Sequence, residues 1–165
     1  MTDSAPFFEA IKSGDEEAVR TELARNPSLS AVRTESGESP LLLAKALADK
    51  LRASRGHIVN MVDLLAERPW PAYAAYAASK AALANLTLSL ARELAPDVTV
   101  NGIAPGVVEW PDDYPESERA KYLKRVPLAR AGSPDDVAKL LHFLVTDGSY
   151  ITGQIIRLDG GRSIT

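Results

Sequence analysis

Apolar residues recur along this chain in two rhythms, one of three to four residues and one of short unbroken runs. Residues 41–53 and 74–94 follow the first, the spacing that lines one face of a helix. In the longer of the two, Leu83, Leu86, Leu90 and Leu94 share a side, with small alanines around them. Residues 57–62, 98–103 and 154–158 follow the second rhythm. Each run is short, mostly apolar and rich in β-branched side chains, as strands buried in a parallel sheet are. Between the last two lie a short charged helix at 116–124, a candidate lid, and a longer helix ending at 145 or 146. The longer one opens on Ser133, Pro134, Asp135 and Asp136, an N-cap serine with proline in the first turn and an acid three residues on. Ala104-Pro105-Gly106 leaves the second strand, while Pro96-Asp97 and Asp159-Gly160-Gly161 close the elements before them. The alternation predicts an α/β fold: three parallel strands with right-handed crossovers, flanked by helices.

The opening residues obey a different grammar. Ser4 and Pro6 can start a short helix with Phe7, Phe8 and Ile11 as its apolar stripe, and Ser13-Gly14 stops it. Asp15 caps a second helix, 16–25, with Ala18, Val19 and Leu23 inward, and Asn26-Pro27 ends that one. A loop at 34–37 leads to Gly37-Glu38-Ser39-Pro40-Leu41-Leu42-Leu43-Ala44. Two short antiparallel helices, an extended loop and that phrase resemble an ankyrin repeat. The expected organisation is an ankyrin-like helical hairpin at 1–38, followed by the α/β segment at 39–165. A single repeat cannot bury its own apolar face. The hairpin therefore either packs on the α/β segment or offers a surface to a partner.

Composition excludes several classes. A net charge of −3 gives no reason to expect nucleic acid or an acidic membrane surface as partner. Without cysteine there are no disulfides and no thiolate metal sites. His57 and His142 lack ligand-like spacing, so no metal is expected. There is no basic, apolar leader and no apolar run of membrane-spanning length, so the chain reads as soluble and cytoplasmic.

The candidate chemistry lies at Tyr76 and Lys80. Four residues apart on a helix, they occupy one face a turn apart. An ammonium held close to a phenol favours phenolate, which predicts a lowered tyrosine pKa and a proton passed near neutral pH. Asp63 ends the first strand, and ligands of open parallel sheets sit beyond the carboxyl ends of strands. Its plain role would be to cap the next loop.

Residues 39–165 resemble the C-terminal half of a short-chain dehydrogenase/reductase. The resemblance is carried by Ile58-Val59-Asn60, Tyr76-x-x-x-Lys80, Val100-Asn101-Gly102-Ile103-Ala104-Pro105-Gly106, the stretch from Arg130 to Ala138, and Ile151-Thr152-Gly153-Gln154 with Asp159-Gly160-Gly161. Asp63 stands thirteen residues before the tyrosine, where most of that family has serine. With Glu67-Arg68-Pro69 and Glu109-Trp110-Pro111, it resembles the pteridine reductase branch. The resemblance implies Asp63, Tyr76 and Lys80 as catalytic residues acting on a pterin-like or carbonyl substrate. It further implies NADP(H) as hydride source, held by Tyr76, Lys80 and backbone groups of Pro105, Gly106 and Val107. Thr152 and Gln154 would serve the fold. The family also implies a homo-oligomer built on helices 41–53 and 74–94.

The family's glycine-rich turn, which grips the cofactor pyrophosphate at a helix N-terminus, has no counterpart in this sequence. The residues that choose between NAD and NADP are missing with it, and the strand at 57–62 becomes an edge that something must cover. Two readings result. One is a reductase, inactive or very weak as these 165 residues. The other is a non-catalytic binding or assembly protein built on a silent reductase scaffold.

Overall fold

The structure is a computed structural model that describes residues 40–165. The ankyrin-like hairpin expected at 1–38 lies outside the described residues. By its contacts the chain divides into two compact units, 1–54 and 55–165.

Of the first unit, helix α1 (Pro40–Ser54) is described, within a residue of the expected bounds. Proline tolerates its first position because that N–H has no intrahelical acceptor. Past its end the left-handed residue is Arg55, at φ 50, although Gly56 stands next to it.

In the second unit, β1 (His57–Met61), β2 (Thr99–Pro105) and β3 (Ile155–Leu158) form a parallel sheet in the order β1-β2-β3. Met61 lies opposite Ile103, and Ile103 opposite Ile156. Helix α2 (Ala74–Glu93) connects β1 to β2, and helices α3 (Glu116–Leu123) and α4 (Pro134–Thr146) connect β2 to β3. The central strand is buried along its middle, with Val100, Ile103 and Ala104 shut off from water. That is why it reads as an unbroken apolar run.

The second strand departs from expectation at its end. It starts at Thr99 and runs through Ala104 and Pro105 instead of turning there. β3 lies alongside and pairs with it as far as Pro105 opposite Leu158, and Gly106 N–H then donates to the Leu158 carbonyl at 3.0 Å. Gly102 sits mid-strand because there is no room for more: a Cβ would come 2.7 Å from Ile155 Cδ1 and 2.9 Å from Val62 Cγ2.

Several motif residues tie elements together. Asn60 Nδ2 donates to Thr87 Oγ1 at 2.9 Å, joining β1 to α2. Asn101, buried, donates to the Ile151 carbonyl at 2.7 Å and accepts from Gln154 N–H at 3.0 Å. Thr152 Oγ1 accepts from Val100 N–H at 3.0 Å, so Thr152 and Gln154 do serve the fold. The buried face of α2 agrees with the leucine side read in the sequence in part. Leu90 and Leu94 are buried together with Ala77, Thr87 and Ala91, while Leu83 and Leu86 are only half-buried. Small residues let the helix backbone approach the sheet, and Thr87 satisfies its own hydroxyl on the Leu83 carbonyl at 2.8 Å.

At the start of α4, Ser133 Oγ accepts from Asp136 N–H at 3.2 Å. The Arg130 guanidinium grips the Asp136 carboxylate through two nitrogens, at 2.8 and 3.2 Å. That grip, with the Ser133 hydroxyl, holds the Asp136 carboxyl at a pKa of about 2. No helix among the described residues is long and apolar enough to cross a membrane.

Candidate active site

β1 ends by delivering Asp63 to a one-turn 3₁₀ helix, Leu64–Ala66. The carboxylate does two jobs at once. Oδ1 accepts from Leu65 N–H at 2.8 Å and caps that turn, while Oδ2 accepts from the Tyr76 hydroxyl at 2.8 Å. The capping role and the candidate chemical role therefore belong to different oxygens of one residue. Tyr76 reaches the strand end because α2 begins just before it. Ala72, at φ 69, turns the chain sharply, Tyr73 N–H donates to the Trp70 carbonyl at 3.2 Å, and Ala77 N–H to the Tyr73 carbonyl at 2.8 Å.

Lys80 lies a turn further along the same face, but not as the sequence led us to expect. Its Nζ donates to the Met61 carbonyl at 2.8 Å and lies 5.7 Å from the centre of the Tyr76 ring. The phenol faces a carboxylate instead of an ammonium. Its pKa is accordingly pushed up, to about 12, first by burial and then by the hydrogen bond and negative charge of Asp63. The expected lowering is corrected: the sequence places Lys80 near Tyr76, but only the fold shows that Asp63 gets to the hydroxyl.

The raised pKa makes stability depend on pH with a definite sign. The phenol is neutral in folded and unfolded chains below its ordinary pKa of 10.0. Between that value and about 12 the unfolded chain gives up the proton first, so stability falls as pH rises through this window. Asp63→Asn is expected to bring the Tyr76 pKa part of the way back and to narrow the window, since burial, the larger cause, remains. The difference in phenolate absorbance between Asp63→Asn and its Tyr76→Phe double variant, followed against pH, measures this. An unchanged midpoint would refute the pairing.

Asp63, Tyr76, Pro105, Gly106 and Val107 line one cavity of about 410 Å³, with Trp70 and Tyr73 on its wall at a ring angle of 78°. Four of the five expected cofactor-binding positions, Tyr76 and Pro105 to Val107, are thus together, and Lys80 bonds to the strand end next to them. The backbone donors at Pro105 to Val107 are already committed. Proline has none, Gly106 N–H goes to Leu158, and Val107 N–H goes to the Tyr122 hydroxyl at 3.2 Å.

Tyr122, Trp70, Tyr73, Arg68 and Arg162 line the same cavity; sequence reasoning met Arg68 only as part of a branch motif and gave none of the five a site role. Tyr122 looks like one more residue of a charged helix. In the structure it meets Trp110 edge-on at 5.4 Å, and Trp110 also lies 5.0 Å from the ring of Tyr114. A tyrosine placed to face the aromatic side chains before its helix was the available signal. Glu67, read as part of a branch motif, pairs with Arg157 and ties the loop after β1 to β3.

Comparison with known proteins gives the family of the chain. The family model described as Enoyl-(Acyl carrier protein) reductase matches residues 19–163. The chain belongs to the short-chain dehydrogenase/reductase family, of which it carries a C-terminal portion. It is similar to Protein FixR of Bradyrhizobium diazoefficiens, 45% identical over 129 residues, covering 76% of this chain and 46% of that protein. Pteridine reductase 1 of Leishmania tarentolae is 39% identical over 137 residues, covering 77% and 47%. The 3-oxoacyl-[acyl-carrier-protein] reductase FabG of Thermotoga maritima is 41% identical over 115 residues, covering 67% and 47%. Among solved structures, an apo SCOR enzyme from Clostridium thermocellum superposes with a TM-score of 0.68 at 32% identity, covering 76% of this chain and 49% of that one. The chain thus spans about half the length of these relatives.

Proposed function

We propose that this chain carries the proton-handling and substrate-binding part of a NAD(P)H-dependent reductase acting on a pterin-like or carbonyl substrate. The observation that supports it is the 2.8 Å bond from the Tyr76 hydroxyl to Asp63 Oδ2, with both residues lining one cavity at the strand ends. A hydroxyl and an ammonium on one helix face, beside the apolar end of β2, are a donor set that suits the nicotinamide riboside end of the cofactor. Tyr76 and Lys80 would hold that end, with Pro105, Gly106 and Val107 as its floor. Bound there, the cofactor would supply hydride.

The chain's own residues account for the proton. A phenol with a raised pKa stays protonated at neutral pH, which is the form a donor needs. Tyr76 Oη gives its proton to the oxygen or nitrogen of the reduced bond. Asp63 Oδ2, already hydrogen-bonded to Oη, orients the hydroxyl and offsets the charge of a proton returning from solvent. Lys80, fixed on the Met61 carbonyl, places a positive charge beside the phenolate formed in passing.

The pyrophosphate end has no such set among the described residues. A glycine-rich turn contributes several charge-assisted hydrogen bonds of about 1.5–3 kcal/mol each, so lacking three of them weakens binding by roughly three to six powers of ten. We therefore expect the 165-residue chain to bind NADPH only at about millimolar concentration. Calorimetric titration tests this, and a chain that gives no heat with millimolar NADPH would not act as a reductase by itself.

A further inference from the structure

The cavity beside Asp63 is lined by two guanidinium groups and one carboxylate, those of Arg68, Arg162 and Asp63. The carboxylate is spent on Leu65 N–H and the Tyr76 hydroxyl. Among the described residues the ion-paired arginines are Arg52, Arg119, Arg130 and Arg157, so neither cavity arginine has an ion-pair partner among them. Their settings differ. Arg68 is exposed, and water serves it. Arg162 is partly enclosed: its guanidinium lies 5.5 Å over the ring of Tyr122, and its Nε is buried without a hydrogen-bond partner. Buried donors are rarely left unpaired, and one that is calls for an explanation.

The position of Arg162 is built, not incidental. Asp159 Oδ1 accepts from Gly161 N–H at 2.9 Å, and Oδ2 from Ser163 N–H at 2.6 Å. The Asp159 carboxylate holds the turn by these bonds, and it forms no ion pair with Arg162 among the described residues. Gly160 and Gly161 take φ 62 and φ 89, and at Gly161 a Cβ would meet the Pro127 ring at 2.8 Å. The tight turn fixes the backbone on both sides of Arg162 and sends the side chain over Tyr122 into the cavity wall.

We propose that Arg162 is a specificity-determining residue that recognises a carboxylate on the substrate. A guanidinium is always charged and presents its N–H groups in a plane, a match for the two oxygens of a carboxylate. Trp70 and Tyr73 supply an aromatic wall in the same cavity, suited to a flat ring. The ligand class is an aromatic or heteroaromatic compound bearing a carboxylate, with its reducible bond toward Tyr76. This rests on the reductase reading for what happens to the ligand, but the recognition needs no cofactor.

The test therefore uses none. Benzoate and benzamide, alike in shape and different in charge, are titrated calorimetrically into the intact chain. Benzoate is expected to bind at least about tenfold more tightly, a difference of about 1.4 kcal/mol. Arg162→Gln should bring the two affinities together with benzamide unchanged, Arg162→Lys should keep part of the preference, and Arg68→Gln should keep nearly all of it. Far-ultraviolet circular dichroism checks that each variant folds, and the lysine variant carries the test if the glutamine one does not. The proposal is overturned if neither probe binds, if both bind wild type equally, if Arg162→Gln retains the preference, or if Arg68→Gln removes it. A chain that prefers benzoate yet ignores NADPH would sink the reductase reading alone.

Discussion

Tyr76→Phe is expected to lower turnover by about 10²–10⁴-fold, the range that a positioned proton donor contributes, with substrate affinity nearly unchanged and Lys80 left to hold the cofactor. The substitution keeps the ring and removes only the hydroxyl. Asp63 Oδ2 loses its donor, but Oδ1 still caps the turn through Leu65 N–H, so the strand end keeps its shape. Lys80 is anchored to the Met61 carbonyl and not to the phenol, so it also stays in place. An effect on kcat without one on KM is what distinguishes loss of proton delivery from loss of binding. The measurement is steady-state NADPH oxidation with a dihydropterin or carbonyl substrate, at cofactor concentrations high enough to offset weak binding. Residual turnover within about threefold of wild type would remove Tyr76 from the chemistry.

Ile103→Ala destabilises the α/β unit by about 2–5 kcal/mol. Ile103 has no exposed surface and sits in the central strand between Met61 and Ile156. Its carbonyl also accepts from Val62 N–H at 2.8 Å, so the surrounding backbone cannot readily close over a smaller side chain. The loss is a large share of a typical total stability of about 5–15 kcal/mol. Urea unfolding reads it as a midpoint lowered by roughly 1–3 M for a slope of about 1–3 kcal/mol/M. Leu141→Ala on α4, at a position 39% exposed, is the control and should stay within about 1 kcal/mol. Equal losses at the two sites would mean that the core is not where the structure places it.

Much of this was legible in the residues. β1, β2 and β3 read as strands from their short β-branched runs, although only β2 is buried and β1 and β3 are half-buried, and α4 announced itself through Ser133 and Asp136. Element ends were less legible. β2 starts at Thr99, opposite His57 of β1, and runs to Pro105 because β3 pairs beside it there; a neighbouring strand leaves no mark on the strand that it extends. Arg55 takes the left-handed position although glycine stands beside it, which no propensity would choose. The leucine side of α2 was right at Leu90 and Leu94, but the buried stripe turns from Leu83 and Leu86 toward Thr87 and Ala91, which only the sheet beneath decides.

The site divides in the same way. Tyr76 and Lys80 are four apart, so helical geometry alone sets them on one face, and Asp63 ends a strand whose carboxyl end must face the same rim. Sequence determined those placements because each depends on local repeat distances. It could not determine which partner each group finds. Whether the phenol met an ammonium or a carboxylate, and so whether its pKa fell or rose, depended on the turn at Asp63 and on Met61 taking the lysine. Arg162 is the clearest case. One arginine after two glycines carries no signal by itself, and it becomes a candidate only once folding has set it in a cavity wall without an ion-pair partner among the described residues. Charge balance in a cavity depends on distances between segments far apart in the chain, and those exist only after the sheet has formed.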